Sequence, residues 1–236
     1  MEWWSKRREY SRFPDLEIYR FFLKYNKLKR LLLNWLAHIF LSEQNIDFQI
    51  GNYLHDPLKG KSWDYASDDL NNGMKTHMLI DLYTDSHFIV AQSKARLREK
   101  GLLKSIVIDM TYDYFLTKNW DKFSHIPFED FTEKFYKQAN LRLDSLPEKA
   151  RESVNKLIKY NILNNYKSTE HLKIAFERFD KRLSTKLLSR DSASSYFETV
   201  TKNIEQLEED FLIFFPKLSN EVKKSINLEK IEHWKI

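Results

Sequence analysis

The scarcity of glycine and proline limits what this chain can fold into more than any other feature of its sequence. Among 236 residues there are only 4 Gly and 5 Pro. These two residues supply most of the tight turns that a sheet protein needs between its strands. The composition therefore favours long helices with few connections. With 42% hydrophobic residues, the chain is also long enough to bury a substantial core. We predict an all-α fold.

The excess of positive charge lies at the beginning of the chain. Residues 1–33 hold nine Lys/Arg and four Asp/Glu, whereas residues 34–236 hold thirty of each. Apolar residues recur at helical spacing in the first segment: Leu16, Tyr19, Phe22, Leu23 and Leu28. We therefore predict a basic helical extension over 1–33 and a single helical domain over 34–236. Because the charge is confined to the extension, no nucleic-acid partner is expected.

The role of the extension stays open at this point. It could pack on the domain or on a second subunit, or form a surface for an acidic partner or a membrane. Alternatively, translation could start further in, near Leu33. The oligomeric state is also left open.

Several classes of protein are excluded by what the sequence lacks. The chain has no cysteine, so thiolate nucleophiles, disulfides and zinc–thiolate sites are ruled out. Any metal ion must be held by histidine, carboxylates and water, ligands that suit Mn, Mg, Fe or Zn. No apolar run is long enough to span a bilayer, and no secretory signal is visible at the N-terminus. We expect a cytoplasmic protein without a membrane partner.

The adjacent pair His55-Asp56 is the first candidate for chemistry. It stands just before Pro57, so it is predicted at the C-terminal end of a helix. His38 lies upstream among apolar residues of helical spacing, where a lone histidine is usually a hydrogen-bonded core residue. The pair can contribute to a metal site only if further His or Asp residues join it.

Two helices offer those further residues. A long helix is predicted over 66–100, bent near Gly73, with His77, Asp81 and Asp85 stacked on one face at i, i+4 and i+8. A second, apolar helix is predicted over 102–120, and it carries Asp109 and Asp113. Burying an unpaired carboxylate is costly. Two acids in such a helix therefore suggest a cation between them and the histidines.

The remaining segments contain no such constellation, and we interpret them as core and scaffold. The clearest amphipathic helix is predicted over 191–215, ended by Pro216. His125, His171 and His233 have polar neighbours in the sequence and are expected at the surface.

If the candidate residues converge, they permit metal-assisted phosphodiester hydrolysis. His38, Asp56, His77 and one of Asp109 or Asp113 would suit a six-coordinate Mn²⁺ or Mg²⁺ ion. Such an ion lowers the pKa of a bound water and neutralises charge on a phosphoryl oxygen.

Four motifs occur in order along the chain: Asn34-Trp35-Leu36-Ala37-His38, Gly51-Asn52-Tyr53-Leu54-His55-Asp56, Gly73-x-x-x-His77-x-x-Ile80-Asp81-x-x-Thr84-Asp85 and Asp109-x-x-x-Asp113-Tyr114-Phe115-Leu116-x-x-Asn119-Trp120. Together they resemble the bacterial acyl carrier protein phosphodiesterase family, which is related to the HD-domain phosphohydrolases. The resemblance runs from Asn34 to about Phe215.

The resemblance implies an HD-domain-like helical hydrolase that depends on Mn²⁺, with Mg²⁺ or Fe²⁺ as alternatives. Its reaction would remove 4′-phosphopantetheine from holo-acyl carrier protein. The implied metal ligands are His38, Asp56, His77, Asp109 and Asp113, and the implied catalytic residues are Asp56, Asp81 and Asp85. His55 occupies a position that is often a small residue in the family, so Asp56 ranks above His55.

Two departures from the family pattern bear on the substrate. Met78 stands where the family commonly has Arg, and Tyr114 where it commonly has His. An Arg can hold a phosphate by paired hydrogen bonds and Met cannot, although Lys75 offers a nearby point charge. We therefore keep two alternatives, a phosphohydrolase of a small phosphodiester or nucleotide and a non-catalytic helical binding protein.

A carrier protein is acidic, so it would be attracted to a basic surface. The stretch Lys94-x-Arg96-x-Arg98-x-Lys100 could form one, or it could be an ordinary solvated helix face.

Overall fold

A computed structural model describes residues 35–236, and all their regular secondary structure is helical. Within this range the only β feature is an isolated antiparallel bridge between Ser124 and Trp234. The prediction of an all-α fold with a single helical domain is confirmed. The predicted extension over 1–33 lies outside the described residues. Among the helices of residues 35–236, none is long and apolar enough to cross a membrane.

Twelve α-helices occur in this range, and four short 3₁₀ turns accompany them. The helices are α1 Trp35–Phe40, α2 Ile46–Leu54, α3 Asp68–Ser86, α4 Phe88–Leu97, α5 Lys104–Lys118, α6 Trp120–Phe123, α7 Phe128–Arg142, α8 Glu148–Lys159, α9 Thr169–Asp180, α10 Thr185–Leu188, α11 Phe197–Lys202 and α12 Ile204–Val222. The 3₁₀ turns are Leu143–Ser145, Ile162–Asn164, Ser194–Tyr196 and Leu228–Lys230.

Short polar side chains fix where the helices near the candidate site begin. Asn45 caps α2 by accepting the backbone N–H groups of Asp47 and Phe48. Ser67 caps α3 by accepting the N–H of Leu70. Such caps satisfy donors that have no partner inside the helix.

Two predicted helix boundaries are wrong in position. The 66–100 segment is not one helix: it breaks at His87, whose extended backbone separates α3 from α4. The predicted 191–215 helix breaks at Asn203, and α12 then continues through Pro216 to Val222. Proline removes one hydrogen bond from a helix, and burial of Phe214, Phe215 and Leu218 keeps the helix intact around it.

Helices α2 and α3 touch through two glycines. A Cβ on Gly51 would lie 2.0 Å from the carbonyl oxygen of Leu70, and a Cβ on Gly73 would lie 2.0 Å from that of Phe48. Any side chain at either position would therefore drive the helices apart. His77 follows Gly73 by one helical turn, so this backbone contact holds it against the end of α2.

Helix α5 is the central helix of the domain. Every residue from Ile106 to Leu116 is buried. Next to it, the ring of Phe40 at the end of α1 contacts the aromatic rings of Trp120, Phe131, Phe215 and Trp234. This aromatic core anchors α1, which also carries His38.

The C-terminal tail returns to α1. Trp234 Nε1 donates to the carbonyl oxygen of Phe40 at 2.9 Å, and Lys235 N donates to that of Phe123 at 2.8 Å. His233 is fully buried, and its Nε2 lies 2.8 Å from the same Phe40 oxygen. The expectation that His233 lies at the surface is therefore wrong, because the tail folds over the aromatic core.

Candidate metal centre

Three imidazole rings stack where α1, α2 and α3 meet. The rings of His38 and His77 lie 4.0 Å apart with an interplanar angle of 18°. On the other side of His77, the ring of His55 lies 4.4 Å away at 25°. His38 and His77 are buried, and His55 retains 18% side-chain exposure. The pair His55-Asp56, at the end of α2, therefore lies beside His77, which in turn stacks on His38.

Asn52 sets the orientation of the two buried rings. Its side-chain oxygen lies 2.9 Å from His38 Nδ1, and its backbone oxygen lies 2.7 Å from His77 Nδ1. The side-chain nitrogen of Asn52 donates to the His38 carbonyl oxygen at 2.9 Å and to Ser42 Oγ at 3.0 Å, which fixes the amide in this orientation. Since both oxygens can only accept, each Nδ1 carries the hydrogen, and each Nε2 presents a lone pair.

The two Nε2 atoms face carboxylates rather than hydrogen-bond partners. Within residues 35–236 both are buried without a hydrogen bond. His77 Nε2 lies 3.3 Å from Asp56 Oδ1 and 3.6 Å from Asp81 Oδ2, and His38 Nε2 lies 3.5 Å from Asp81 Oδ1. Two ligands at right angles on one ion, each at about 2.1 Å, are roughly 3 Å apart. Each of these separations therefore fits two neighbouring ligands of a divalent metal ion.

The electrostatics of the cluster call for a positive charge between the two acids. Burial lowers the pKa of His38, and the neighbouring His77 adds to this effect. Burial also opposes protonation of His77, but Asp56 and Asp81 outweigh it, so the pKa of His77 is raised. Burial opposes ionisation of Asp56, but the charge of His77 and the close contacts with His55 and His77 outweigh it, so the pKa of Asp56 is lowered. Either a proton or a metal ion would satisfy the carboxylates.

The five predicted metal ligands do not all converge. Ligand atoms lie within 4.8 Å of one another in two groups, His38 with His77 and Asp81, and His55 with Asp56 and His77. His77 belongs to both groups, so the predicted ligands His38 and Asp56 each lie beside it, and Asp81, predicted as catalytic, joins His38 and His77. Within the described residues, neither group includes Asp85, Asp109 or Asp113.

Asp85, Asp109 and Asp113 have other surroundings. Asp85 lies 3.3 Å from Lys94 Nζ. Asp109 is buried within α5. Asp113 accepts the backbone N–H of Leu36 at 3.2 Å and of Ala37 at 3.0 Å, so it secures the first turn of α1. Burial raises the pKa of Asp113 well above its usual range, against the opposing effect of these two donors. The cation inferred for this buried acid is therefore not needed to explain its presence in an apolar helix.

Asn52 has a role in the site that residue spacing does not predict. It stands inside the second motif, and the structure gives it contacts to both buried histidines. The sequence feature that could have indicated this role is the position of a polar amide in the middle of an apolar helical stretch. Its partners could not be read from spacing, because they come from two other helices.

The basic stretch from Lys94 to Lys100, at the C-terminal end of α4, is mostly neutralised. Lys94, Arg96 and Arg98 form ion pairs with Asp85, Asp210 and Asp191 respectively. The interpretation as an ordinary helix face is thus favoured over a free basic surface.

The two departures from the family pattern lie in different surroundings. Met78 is 41% exposed on α3, whereas Tyr114 is buried in α5. Lys75 is exposed, and its Nζ lies 3.4 Å from Asn72 Oδ1. Of these residues, Met78 and Lys75 are accessible to a substrate.

Fold and site together define an all-helical protein with a buried cluster of histidines and aspartates that could hold a divalent metal ion. Comparison with known proteins agrees with this class. A family model described as acyl carrier protein phosphodiesterase matches residues 33–218, well over half of the chain. The chain therefore belongs to the acyl carrier protein phosphodiesterase family, a family of hydrolases.

Individual relatives carry the same description. The acyl carrier protein phosphodiesterase of Enterobacter sp. (strain 638) is 25% identical over 199 residues, covering 81% of this chain and 98% of the relative. That of Escherichia coli O6:H1 is 24% identical over 200 residues, with the same coverage. That of Photorhabdus laumondii is 31% identical over 91 residues, covering 38% of this chain and 46% of the relative. No solved structure matches the chain significantly.

Proposed function

We propose that this protein is a cytoplasmic, metal-dependent phosphodiesterase that removes 4′-phosphopantetheine from holo-acyl carrier protein and leaves the apo protein. One observation carries the proposal. In a chain of this family, two buried Nε2 atoms without hydrogen-bond partners face two carboxylates. An HD-domain-like arrangement of the helices remains part of the proposal.

The proposed ligands are His38, His77, Asp56 and Asp81. Two imidazoles and two carboxylates suit Mn²⁺, with Mg²⁺ or Fe²⁺ as alternatives. When bound, such an ion lowers the pKa of a coordinated water and neutralises charge on the phosphoryl group. We favour Asp81 over the sequence-predicted Asp109 and Asp113, because both oxygens of Asp113 accept backbone donors at the start of α1.

The chain's own residues would orient the reaction. Asn52 keeps both Nε2 atoms free of hydrogen, and the two carboxylates supply the negative charge that retains a cation. Asp85 follows Asp81 by one turn on α3, and we propose that it orients the attacking water or accepts its proton. The water oxygen adds to phosphorus, the bond from phosphorus to the carrier protein's serine oxygen breaks, and that oxygen takes up a proton.

Intact-mass spectrometry of holo-acyl carrier protein tests this function. We expect the wild-type protein with Mn²⁺ to remove the phosphopantetheine mass, and Asp56→Ala and Asp81→Asn to leave it attached. Asp130→Asn, which changes an exposed carboxylate on α7, serves as the matched control and should retain activity. Metal content measured on the same samples separates loss of the ion from loss of the reaction.

The exposed Met78 favours a second candidate function. Without an Arg at this position, the chain lacks one planar phosphate-binding group beside His77, which fits a smaller phosphodiester or nucleotide. Hydrolysis of bis(p-nitrophenyl) phosphate with holo-acyl carrier protein left intact would support this alternative. A wild-type protein that binds no metal and hydrolyses neither compound would instead be a non-catalytic binding protein.

A further inference from the structure

We propose that residues 173–190, which comprise the end of helix α9 and the loop after it, form the docking surface for the acidic carrier protein. This inference rests on the proposed function, because it names the surface that would recognise the substrate of that function. The docking surface contains none of the proposed metal ligands. It would therefore govern binding of the carrier protein and leave the chemical step to the metal centre.

Positive charge is concentrated in the docking surface. Residues 173–190 hold six Lys/Arg and two Asp/Glu, although residues 34–236 as a whole hold equal numbers of the two kinds. The basic stretch from Lys94 to Lys100, by contrast, is mostly paired with acids. All six cations of the docking surface are exposed, and within residues 35–236 none of them forms an ion pair: Lys173, Arg178, Lys181, Arg182, Lys186 and Arg190.

One of the two acids in the segment is occupied by backbone donors. Asp180 is buried, and its two carboxylate oxygens accept the N–H groups of Ala193 at 2.6 Å and Ser194 at 3.0 Å. These hydrogen bonds hold the two ends of the loop after α9 together. The cations of the loop are therefore confined to one compact surface beside the end of α9, where Glu177 is the exposed acid.

Two exposed apolar side chains lie among the cations. Ile174 is 42% exposed and Leu188 is 43% exposed. Ile174 and Arg178 are one turn apart on the same face of α9. This combination of positive charge and apolar area fits a protein surface with acidic and apolar side chains. It fits less well to a nucleic-acid backbone, which offers mainly phosphate charge.

The docking surface lies near the helices that carry the metal ligands. Helix α9 packs on α5, whose Asp113 secures the start of α1. Burial raises the pKa of Tyr53 to about 12, and both the hydrogen bond with Ser153 and the positive charge of Arg182 oppose this shift. Arg182 is therefore close enough to act on α2, where Tyr53 precedes Asp56 by three residues. A small folded domain is about 30 Å across, so a carrier protein whose serine reaches Asp56 is large enough to contact this surface.

Removal of two charges from the docking surface tests the inference. We expect Arg178→Gln with Arg182→Gln to raise the KM for holo-acyl carrier protein by about tenfold, because exposed charges act mainly on association. The kcat and the amount of bound Mn²⁺ should equal those of the wild type. Arg178→Lys with Arg182→Lys keeps both charges and should retain a KM close to the wild-type value.

Lys122→Gln with Lys137→Gln is the matched control. It also removes two positive charges, from exposed lysines of α6 and α7 that form no ion pair within residues 35–236, and its KM should equal that of the wild type. Fluorescence anisotropy of labelled apo-acyl carrier protein measures binding without the reaction. Binding to the wild type should weaken as the salt concentration rises, and circular dichroism verifies that each variant is folded.

Three results would overturn the docking surface while the proposed function stands. They are a wild-type KM in Arg178→Gln with Arg182→Gln, an equal rise in the control, and a fall in kcat without a change in KM. Tighter binding of duplex DNA or of phosphatidylglycerol vesicles than of carrier protein, lost in the same variant, would assign the surface to another partner. A wild-type protein that neither binds nor hydrolyses the carrier protein would overturn the proposed function together with the docking surface.

Discussion

At the residue scale, Asn52 decides which atoms of the cluster are available for chemistry. A histidine carries its hydrogen on one ring nitrogen or the other, and the partner of Nδ1 determines which. Asn52 provides an acceptor to both His38 and His77. One buried amide therefore prepares both Nε2 atoms of the proposed metal centre, and outer-shell residues of this kind commonly tune metal affinity.

We expect Asn52→Ala to weaken metal binding by about tenfold to a hundredfold. The substitution removes the acceptor for His38 Nδ1 but keeps the backbone oxygen that orients His77, so the loss arises from His38. Isothermal titration with Mn²⁺ measures it. Ser42→Ala removes only one contact to the amide and should bind Mn²⁺ nearly as the wild type does. Equal affinities in all three proteins would contradict this role of Asn52.

Substitution of Asp113 distinguishes a metal ligand from an acid that only stabilises the fold. Asp113→Asn cannot accept both N–H groups at the start of α1, so we expect a loss of about 1–3 kcal/mol in the free energy of unfolding. Urea titration of the metal-free protein measures this loss. The folded variant should still bind one Mn²⁺. A variant with wild-type stability and no bound Mn²⁺ would instead support the sequence-based prediction that Asp113 is a ligand.

At the element scale, the contact between α2 and α3 assembles the site. Gly51 and Gly73 bring the two backbones together, and the turns that follow them carry His55, Asp56 and His77. A carbonyl oxygen of α2 can reach His77 Nδ1 only because the helices are this close. The two glycines that the sequence places in the second and third motifs thus have a packing role.

Gly73→Ala should destabilise the protein by about 3 kcal/mol or more, since its Cβ would overlap a backbone oxygen that cannot turn aside. Alanine is the better helix former by about 1 kcal/mol. If Gly73 did not contact the backbone of α2, the substitution would therefore increase the stability of the protein. Urea unfolding of Gly73→Ala beside Asn72→Ala, an exposed neighbour on the same helix, decides between these signs. An increase in stability at position 73 would refute the close contact.

At the scale of the whole molecule, the C-terminal tail braces the helix that carries His38. The carbonyl oxygen of Phe40 accepts Trp234 Nε1, and the buried His233 lies beside both. Burial lowers the pKa of His233 to about 4, and the positive charge of Lys134 acts in the same direction. The hydrogen bond to Phe40 opposes this shift but does not cancel it. The tail therefore requires His233 to be neutral.

This requirement predicts a loss of stability in acid. Between pH 6.5 and about 4 the unfolded chain binds a proton at His233 that the folded chain does not, so the contribution is complete above pH 6.5 and decreases as the pH falls. We expect the wild type to lose about 2 kcal/mol more than His233→Gln between pH 7 and pH 5. Urea unfolding of both proteins at pH 7 and pH 5 measures the two losses of stability. The contributions of the other titrating groups are the same in both proteins, so they cancel when one loss is subtracted from the other. Parallel losses in the two proteins would contradict the lowered pKa.

Much of this architecture could be predicted from local signals. The scarcity of Gly and Pro indicated an all-helical fold, and Pro57 correctly marked the end of one site helix. The i, i+4 spacing placed His77 and Asp81 on one face of α3. These features depend on residues close in sequence, where spacing and backbone chemistry are sufficient.

Which acids meet the histidines was decided only by the tertiary structure. Spacing treats the pair Asp109 and Asp113 like the pair His77 and Asp81, because both are four residues apart on a helix. The crossing of α2 with α3 brings Asp56, His55 and Asp81 to the imidazole stack, while α5 directs Asp113 to the start of α1. The sequence alone determined the helices and the inventory of metal-binding side chains. Their convergence depended on packing between helices distant in sequence, which local periodicity does not encode.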